Sequence, residues 1–457
     1  MNIVNSRYKM GTKTRLAQLR LLCLFSTFLV SAGAAVIADA NAADSTAVQN
    51  SAVPTCVYYD RFLTRGGENP SQSTCDTVFP EFGGLRKTLS ESGWGIQVIT
   101  AQFFTYDILG LNRGTNSYNG EQPSYIGTVF PIFTYDLARW GLNEKSQITI
   151  EPSLMYTSFD GNGPSYVNLA QLSAFLPFWD DRLTVQAGYY AMGDQFYGGA
   201  IGNSFGGSAL STTSSLMFQL GVKGFRTKPG IDVRLYSEDK RWYNHIGVTR
   251  ANSPEGPFED FYDDRIGFKF TSPGAKPVWL DEVGYRVDSA PGQKKFWLRA
   301  GAIYNTSNYY VLDGSGDTEH NYGFYAVGDF QLTQPNPELA YQGWGIQAKV
   351  GIGDDKLNAI SKEFGATLYK LGTFESRPAD VFAIGYMKSY YSDTLVNASR
   401  AGGLDPETEV NVYSTSYTAR LGNGAYLQTG LTYTDHPTFV PKRDGVLNLT
   451  LGLLTIF

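Results

Sequence analysis

The sequence predicts an all-β fold: a transmembrane antiparallel β-barrel of about sixteen strands, eighteen being the alternative, entered through a short N-terminal helix. Three observations carry this prediction. Apolar and polar residues alternate repeatedly along the chain, which is the period of a strand with unlike faces. The 457 residues include 30 Tyr, 28 Phe, 7 Trp and 50 Gly, a load that suits aromatic girdles at two membrane interfaces and tight turns between curved strands. The last eleven residues read as one strand that ends on Phe457.

The N-terminal residues read as an export signal. Arg7, Lys9, Lys13, Arg15 and Arg20 precede an apolar run over residues 21–30, shorter than the ~20 residues a membrane-spanning helix needs. Ala38-Asp39-Ala40 fits a cleavage site, with Ala40-Asn41-Ala42 as a close competitor, so residues 1–40 are expected to be removed. Cys23 lacks the small residues before it that a lipid-modified cysteine would want. Losing five cations and Asp39 takes the formal charge from −6 to −10, which argues against a nucleic-acid partner. Residues 41–81 form a polar segment holding Cys56 and Cys75, and export to an oxidising compartment makes a disulfide the simplest reading of that pair. Residues 82–93 read as the short amphipathic helix, and residues 94–457 as the barrel.

The strands follow in order. The first starts at Trp94. In residues 145–158, Ile148, Ile150, Leu154 and Tyr156 oppose Lys145, Gln147, Thr149, Glu151 and Ser153. Leu183, Val185, Ala187 and Tyr189 oppose Arg182, Thr184 and Gln186. Leu216, Phe218, Leu220 and Val222 oppose Ser215, Gln219 and Lys223. Ile231, Val233 and Leu235 oppose Asp232 and Arg234, and Ile266, Phe268 and Phe270 oppose Arg265 and Lys269. Phe296, Leu298, Ala300, Ala302 and Tyr304 oppose Arg299; Trp344, Ile346, Ala348, Val350 and Ile352 oppose Gln347 and Lys349. About 417 residues over sixteen strands leave roughly 26 for each strand and connection, which suits ~10-residue spans with alternating short and long loops. Residues 225–231 and 421–425 read as tight turns at the periplasmic rim. Residues 110–124, 197–213, 243–260, 313–319 and 392–408 read as longer outer loops, and the glycine-rich run 198–207 is expected to fold inward rather than stand as an exposed tip. The mean hydropathy of −0.22 fits lumen-facing polar residues balancing lipid-facing apolar ones.

Several stretches resemble the carbohydrate-selective porins of the OprB family. Gly83-Gly84-Leu85-Arg86 stands before a strand that opens Trp94-Gly95-Ile96, and similar runs occupy residues 182–196, 343–355 and 385–390. The likeness covers the chain from about residue 80, without the cysteine-bearing segment. The family usually carries an arginine where Tyr189 or Tyr190 stands here. The resemblance implies a channel in the outer membrane of a Gram-negative bacterium, passing sugars and similar small solutes by diffusion, with no catalysis and no cofactor. The implied partners are those solutes, outer-membrane lipid, and barrel-assembly machinery that reads the closing strand ending in Phe457.

A sugar channel needs a wet lumen whose charged and planar polar groups exchange hydrogen bonds with hydroxyls. Alternation places Glu151, Lys223, Asp232, Arg234, Arg265, Glu282, Arg286, Arg299 and Lys349 inward, as candidate pore-lining residues. Opposed charges around one pore would set up a transverse field that favours polar neutral solutes.

Rival functions have weaker support. A channel for organic or aromatic acids would share the fold. A hydrolase would rest on Ser204 of Gly202-Asn203-Ser204-Phe205-Gly206, but no helical pattern follows that run and no histidine is near it. His245, His320 and His436 are isolated, without metal-ligand spacing, and read as loop or rim residues. Asp313, Ser315, Asp317 and Glu319 alternate like calcium ligands, but Thr318 stands where an EF-hand needs glycine. A non-conducting structural barrel is the remaining alternative.

Overall fold

The computed structural model describes residues 55–457 apart from 68–70, 113, 115, 160, 162, 164, 199–200, 203–206 and 211–213. The predicted signal segment 1–40 and Ser204 lie outside the described residues.

Sixteen antiparallel strands form one closed barrel: β1 (Trp94–Asp107), β2 (Ser124–Asp136), β3 (Gln147–Thr157), β4 (Tyr166–Phe178), β5 (Leu183–Tyr190), β6 (Lys228–Tyr236), β7 (Trp242–Arg250), β8 (Pro277–Val287), β9 (Phe296–Tyr310), β10 (Thr318–Gln331), β11 (Gly343–Gly353), β12 (Ile360–Leu371), β13 (Val381–Tyr391), β14 (Glu409–Gly422), β15 (Ala425–Thr434) and β16 (Val446–Ile456). Each strand pairs with its sequence neighbours, and β16 returns to β1 through pairs such as Phe104↔Leu451 and Asp107↔Asn448. Closure leaves no unpaired edge, as a hydrocarbon environment demands.

Strand alternation sorts the two faces at this seam. Leu451 and Leu453 are exposed on the outside together with Phe104. Asn448 and Thr450 point inward, where Asn448 donates to Asn119 O at 3.0 Å and the Thr450 hydroxyl lies 3.4 Å from that of Thr105.

Connections after even-numbered strands are short, the tightest being Asn423-Gly424 between β14 and β15. Gly424 has φ 62°, and a Cβ there would come within 2.4 Å of Ile456 O, so only glycine fits the turn. Connections after odd-numbered strands include residues 191–227 and 392–408. The short-turn end corresponds to the periplasmic side of bacterial barrels, and the chain enters and leaves there.

Gly83 (φ 63°) and Gly84 (φ 86°) take left-handed conformations and lead into the helix Leu85–Glu91. Buried Arg86 clamps this entry by donating to Phe79 O (2.8 Å), Pro80 O (2.7 Å) and Ile96 O (3.2 Å). Upstream, Cys56 and Cys75 are joined by a disulfide. The segment they staple lies in the short-turn mouth: Thr134 Oγ1 donates to Phe62 O (2.5 Å), Gln147 Nε2 to Leu63 O (3.1 Å), and Gln97 Nε2 to Gln72 O (3.4 Å).

Three sequence readings are corrected. Residues 215–223 are no strand but a single helical turn, Leu216–Gln219, inside the 191–227 connection. Their alternating apolar side chains do not face lipid. Leu216, Leu220 and Val222 pack with Met192, Phe196, Ile303 and Tyr325, so the inward loop shares a small core with the β8–β10 wall. Residues 265–270 are irregular. The carboxylate of Asp264 accepts from the N–H groups of Gly267 (2.9 Å), Phe268 (3.0 Å) and Lys269 (2.9 Å), so these donors are satisfied by a side chain instead of a strand ladder. Finally, Lys228-Pro229-Gly230 opens β6 and pairs with Tyr190, Tyr189 and Gly188; the proline and glycine mark the end of a long loop, not a tight turn.

Candidate channel constriction

The described residues of the 191–227 connection turn into the barrel and reach its far wall. Ser208 O accepts from Thr418 Oγ1 and Gln428 Nε2, both at 2.6 Å, and Leu210 O accepts from Ser416 Oγ at 3.0 Å. These partners stand on β14 and β15, far around the wall from the strands that hold the loop's two ends. A second anchor is Glu363 on β12, whose carboxylate accepts from Tyr197 OH (3.1 Å), Ser215 N–H (3.2 Å) and the Ser214 hydroxyl. Gln219 pairs in both directions with the backbone of Ile360. Asn305 Nδ2 donates to Leu220 O (2.8 Å) and Lys228 Nζ to Val222 O (2.7 Å).

Under the loop, the β6–β10 wall carries a buried charged network. Asp232 accepts from Tyr190 OH at 2.5 Å and lies 2.8 Å from His245 Nε2. The His245 ring stacks on Phe196 of the loop, centroids 4.0 Å apart. Arg234 donates to Gln195 Oε1 at 3.3 Å. Glu282 accepts from Tyr243 OH (2.8 Å) and Tyr325 OH (2.7 Å) and faces Arg299 at 3.6 Å. Arg299 and Glu282 are each 1% exposed in their side chains. Arg299 also lies over Trp297, 4.2 Å from the ring centroid, and donates to Gly198 O of the loop. A buried ion pair is costly to desolvate, so its hydrogen bonds to the two tyrosines and the loop carbonyl are what make it tolerable.

Of the sequence-predicted residues, the structure brings together Asp232, Arg234, Glu282 and Arg299. Arg286 lies lower on β8, 2.7 Å from Asp288 and over Trp297. Lys223 sits on the loop itself, where it joins Asp194 at 2.5 Å and ties the loop's two limbs. Glu151 projects from β3, close enough to Asp194 for their charges to interact, and Lys349 projects from β11 beside Glu363. Arg265 is exposed in the irregular segment between β7 and β8 and not on a strand, so strand alternation does not place it inward. His245 is corrected: it is a fully buried residue of β7, not a loop residue. His320 is at the rim, accepting or donating to Tyr304 OH at 2.9 Å.

Sequence reasoning missed Glu363 and Asp329. Both face inward on strands with clear alternation, Glu363 between Lys362 and Phe364, and Asp329 between Gly328 and Phe330. Asp329 accepts from Tyr369 OH (2.6 Å) and pairs with Lys295 (2.7 Å). Reading those two segments as strands would have found them. Among the described residues no group of metal-ligating side chains occurs.

A closed sixteen-stranded barrel with an inward loop anchored across its lumen is the architecture of a porin. The family model for the carbohydrate-selective porin, OprB family, matches residues 141–453. The chain belongs to the OprB family. Two solved structures agree in fold. The high-pH structure of Pseudomonas putida OprB has 16% identity and a TM-score of 0.69, covering 82% of this chain and 97% of that one. The low-pH structure of the same protein has 12% identity and a TM-score of 0.55, covering 85% and 99%. A search of curated proteins finds no significant match. Membership of the OprB family makes this chain an outer-membrane porin, a channel for small solutes.

Proposed function

We propose that this porin passes carbohydrates by passive diffusion through the space left beside the 191–227 loop, and that Glu151, Lys223, Asp232, Arg234, Glu282, Arg286, Arg299 and Lys349 set the field there. The observation that carries the proposal is the loop's anchoring on Arg299 and Glu363, with Glu151 on β3 and Lys349 on β11 at opposite positions of the sixteen-strand order. Opposed charges across a narrow lumen orient water and hydroxyls without holding a neutral solute tightly, which conduction requires. This passage uses no catalytic group and no cofactor. Leu447, Leu449, Leu451 and Leu453 would meet lipid, and the β16 strand ending in Phe457 would be the segment read by the assembly machinery.

Liposome swelling tests this directly. Swelling in neutral monosaccharides that exceeds swelling in organic acids of equal size supports the reading. Faster passage of organic or aromatic acids assigns the channel to that solute class instead, and an absence of swelling and conductance marks a structural barrel. Hydrolysis of an ester substrate that disappears in Ser204→Ala would support the hydrolase.

A further inference from the structure

The short-turn mouth holds a cavity that the loop constriction does not include. It measures about 380 Å³, within the range of small-molecule sites. One side is the stapled N-terminal segment at Thr64, Arg65 and Gly66; the other is the inner wall at Phe175 of β4 and Tyr236 of β6, with Lys145, Asp181 and Lys240 on the turns below. The segment is fixed against this wall. Arg65 N–H donates to Gln147 Oε1 at 3.1 Å. Gly66 has φ 89°, a left-handed conformation that favours glycine, and lies against Gln186 and Phe175 of the wall.

The lining has a definite chemistry. Lys145 is paired with Asp181. That leaves Arg65 and Lys240 as the excess charge in a cavity that also presents two aromatic faces. Arg65 places two of its five N–H donors on the carbonyls of Glu144 (3.1 Å) and Arg61 (2.9 Å), which holds the guanidinium in position. We propose that this cavity is an exit subsite for a monosaccharide bearing a carboxylate or phosphate. The anionic group meets Arg65 and Lys240, and the sugar ring lies against Phe175 or Tyr236. The subsite requires the Cys56–Cys75 segment, because without it the wall has neither Arg65 nor a second side.

The test uses the full chain in a planar bilayer, with glucuronate, glucose 6-phosphate or glucose added to one side at a time. Current block by the two anions from the short-turn side should need about tenfold less solute than block by glucose, the ratio given by one charged contact. Lys240→Gln, an exposed turn position, and Arg65→Gln should each remove most of that ratio, with the folded barrel verified by heat-modifiable migration. Cys56→Ser with Cys75→Ser should do the same. An unchanged ratio in Lys240→Gln and Arg65→Gln overturns the proposal. So does a ratio that is equal from both sides and vanishes in Arg234→Gln, because the anion then binds at the constriction. A protein that does not conduct overturns the sugar-channel reading alone; calorimetric titration of glucuronate into detergent-solubilised wild type and Arg65→Gln then decides the subsite.

Discussion

The inward loop is held at two kinds of landing place. On β9 and β12 it meets buried charge, Arg299 and Glu363. On β14 and β15 its described residues meet neutral groups, the hydroxyls of Ser416 and Thr418 and the amide of Gln428. Both sets reach loop atoms, but they differ in what removal leaves behind. A neutral donor that is lost costs about one hydrogen bond, roughly 1 kcal/mol. A buried ion that loses its partner remains desolvated and uncompensated, at about 3–5 kcal/mol. The charged side therefore sets the loop's position, and the neutral side finishes it.

The sharpest way to break this contrast is Arg299→Ala. It strands Glu282 among tyrosines and frees Gly198 O, so the barrel should lose about 3–5 kcal/mol, read as a lower temperature of the heat-modifiable shift. Replacing both partners, Arg299→Met with Glu282→Leu, should recover much of that loss; no recovery would mean that the ion pair is not the source of the cost. Glu363→Ala comes next. It removes the acceptor for Tyr197, Ser214 and Ser215, at about 2–3 kcal/mol, and should raise single-channel conductance and open-channel noise as the loop loosens. Thr418→Val should cost only about 1 kcal/mol and leave the conductance within its usual spread; an effect as large as that of Glu363→Ala would erase the difference between the two landing places.

The smallest effect concerns pH at the short-turn rim. Burial alone would raise the Asp380 carboxyl, but hydrogen bonds from Arg377, Tyr417 and the Arg420 N–H outweigh it and hold the group below the ordinary carboxylate value. A depressed folded-state value means that the stabilisation is present above the unfolded carboxylate pKa and is lost as pH falls through the folded one. Stability against heat should therefore decline modestly below about pH 4, and Asp380→Asn should flatten that part of the profile.

Much of this molecule was legible in its sequence. Alternation alone put Asp232, Arg234, Glu282 and Arg299 on the inner face, because a strand's period of two leaves no other choice once the lipid face is known. Periodicity failed at residues 215–223 and 266–270. The first has the pattern of a strand but uses its apolar residues to build a core between loop and wall within the lumen. The second is organised by side chains such as the Asp264 carboxylate and the Arg226 guanidinium, whose reach no pattern of hydrophobicity encodes. His245 is isolated in the sequence because its partners, Asp232 and Phe196, come from a neighbouring strand and from the loop.

The barrel, its inner and outer faces and its family follow from local alternation and from motifs contiguous in the chain. Where the 191–227 loop lands, which charges pair beneath it, and the place of the cysteine-stapled segment in the short-turn mouth emerge in the folded barrel alone. Those outcomes depend on contacts between residues as far apart as Ser208 and Gln428, or Arg65 and Gln147. Closing the barrel brings such residues together, and no local period records it.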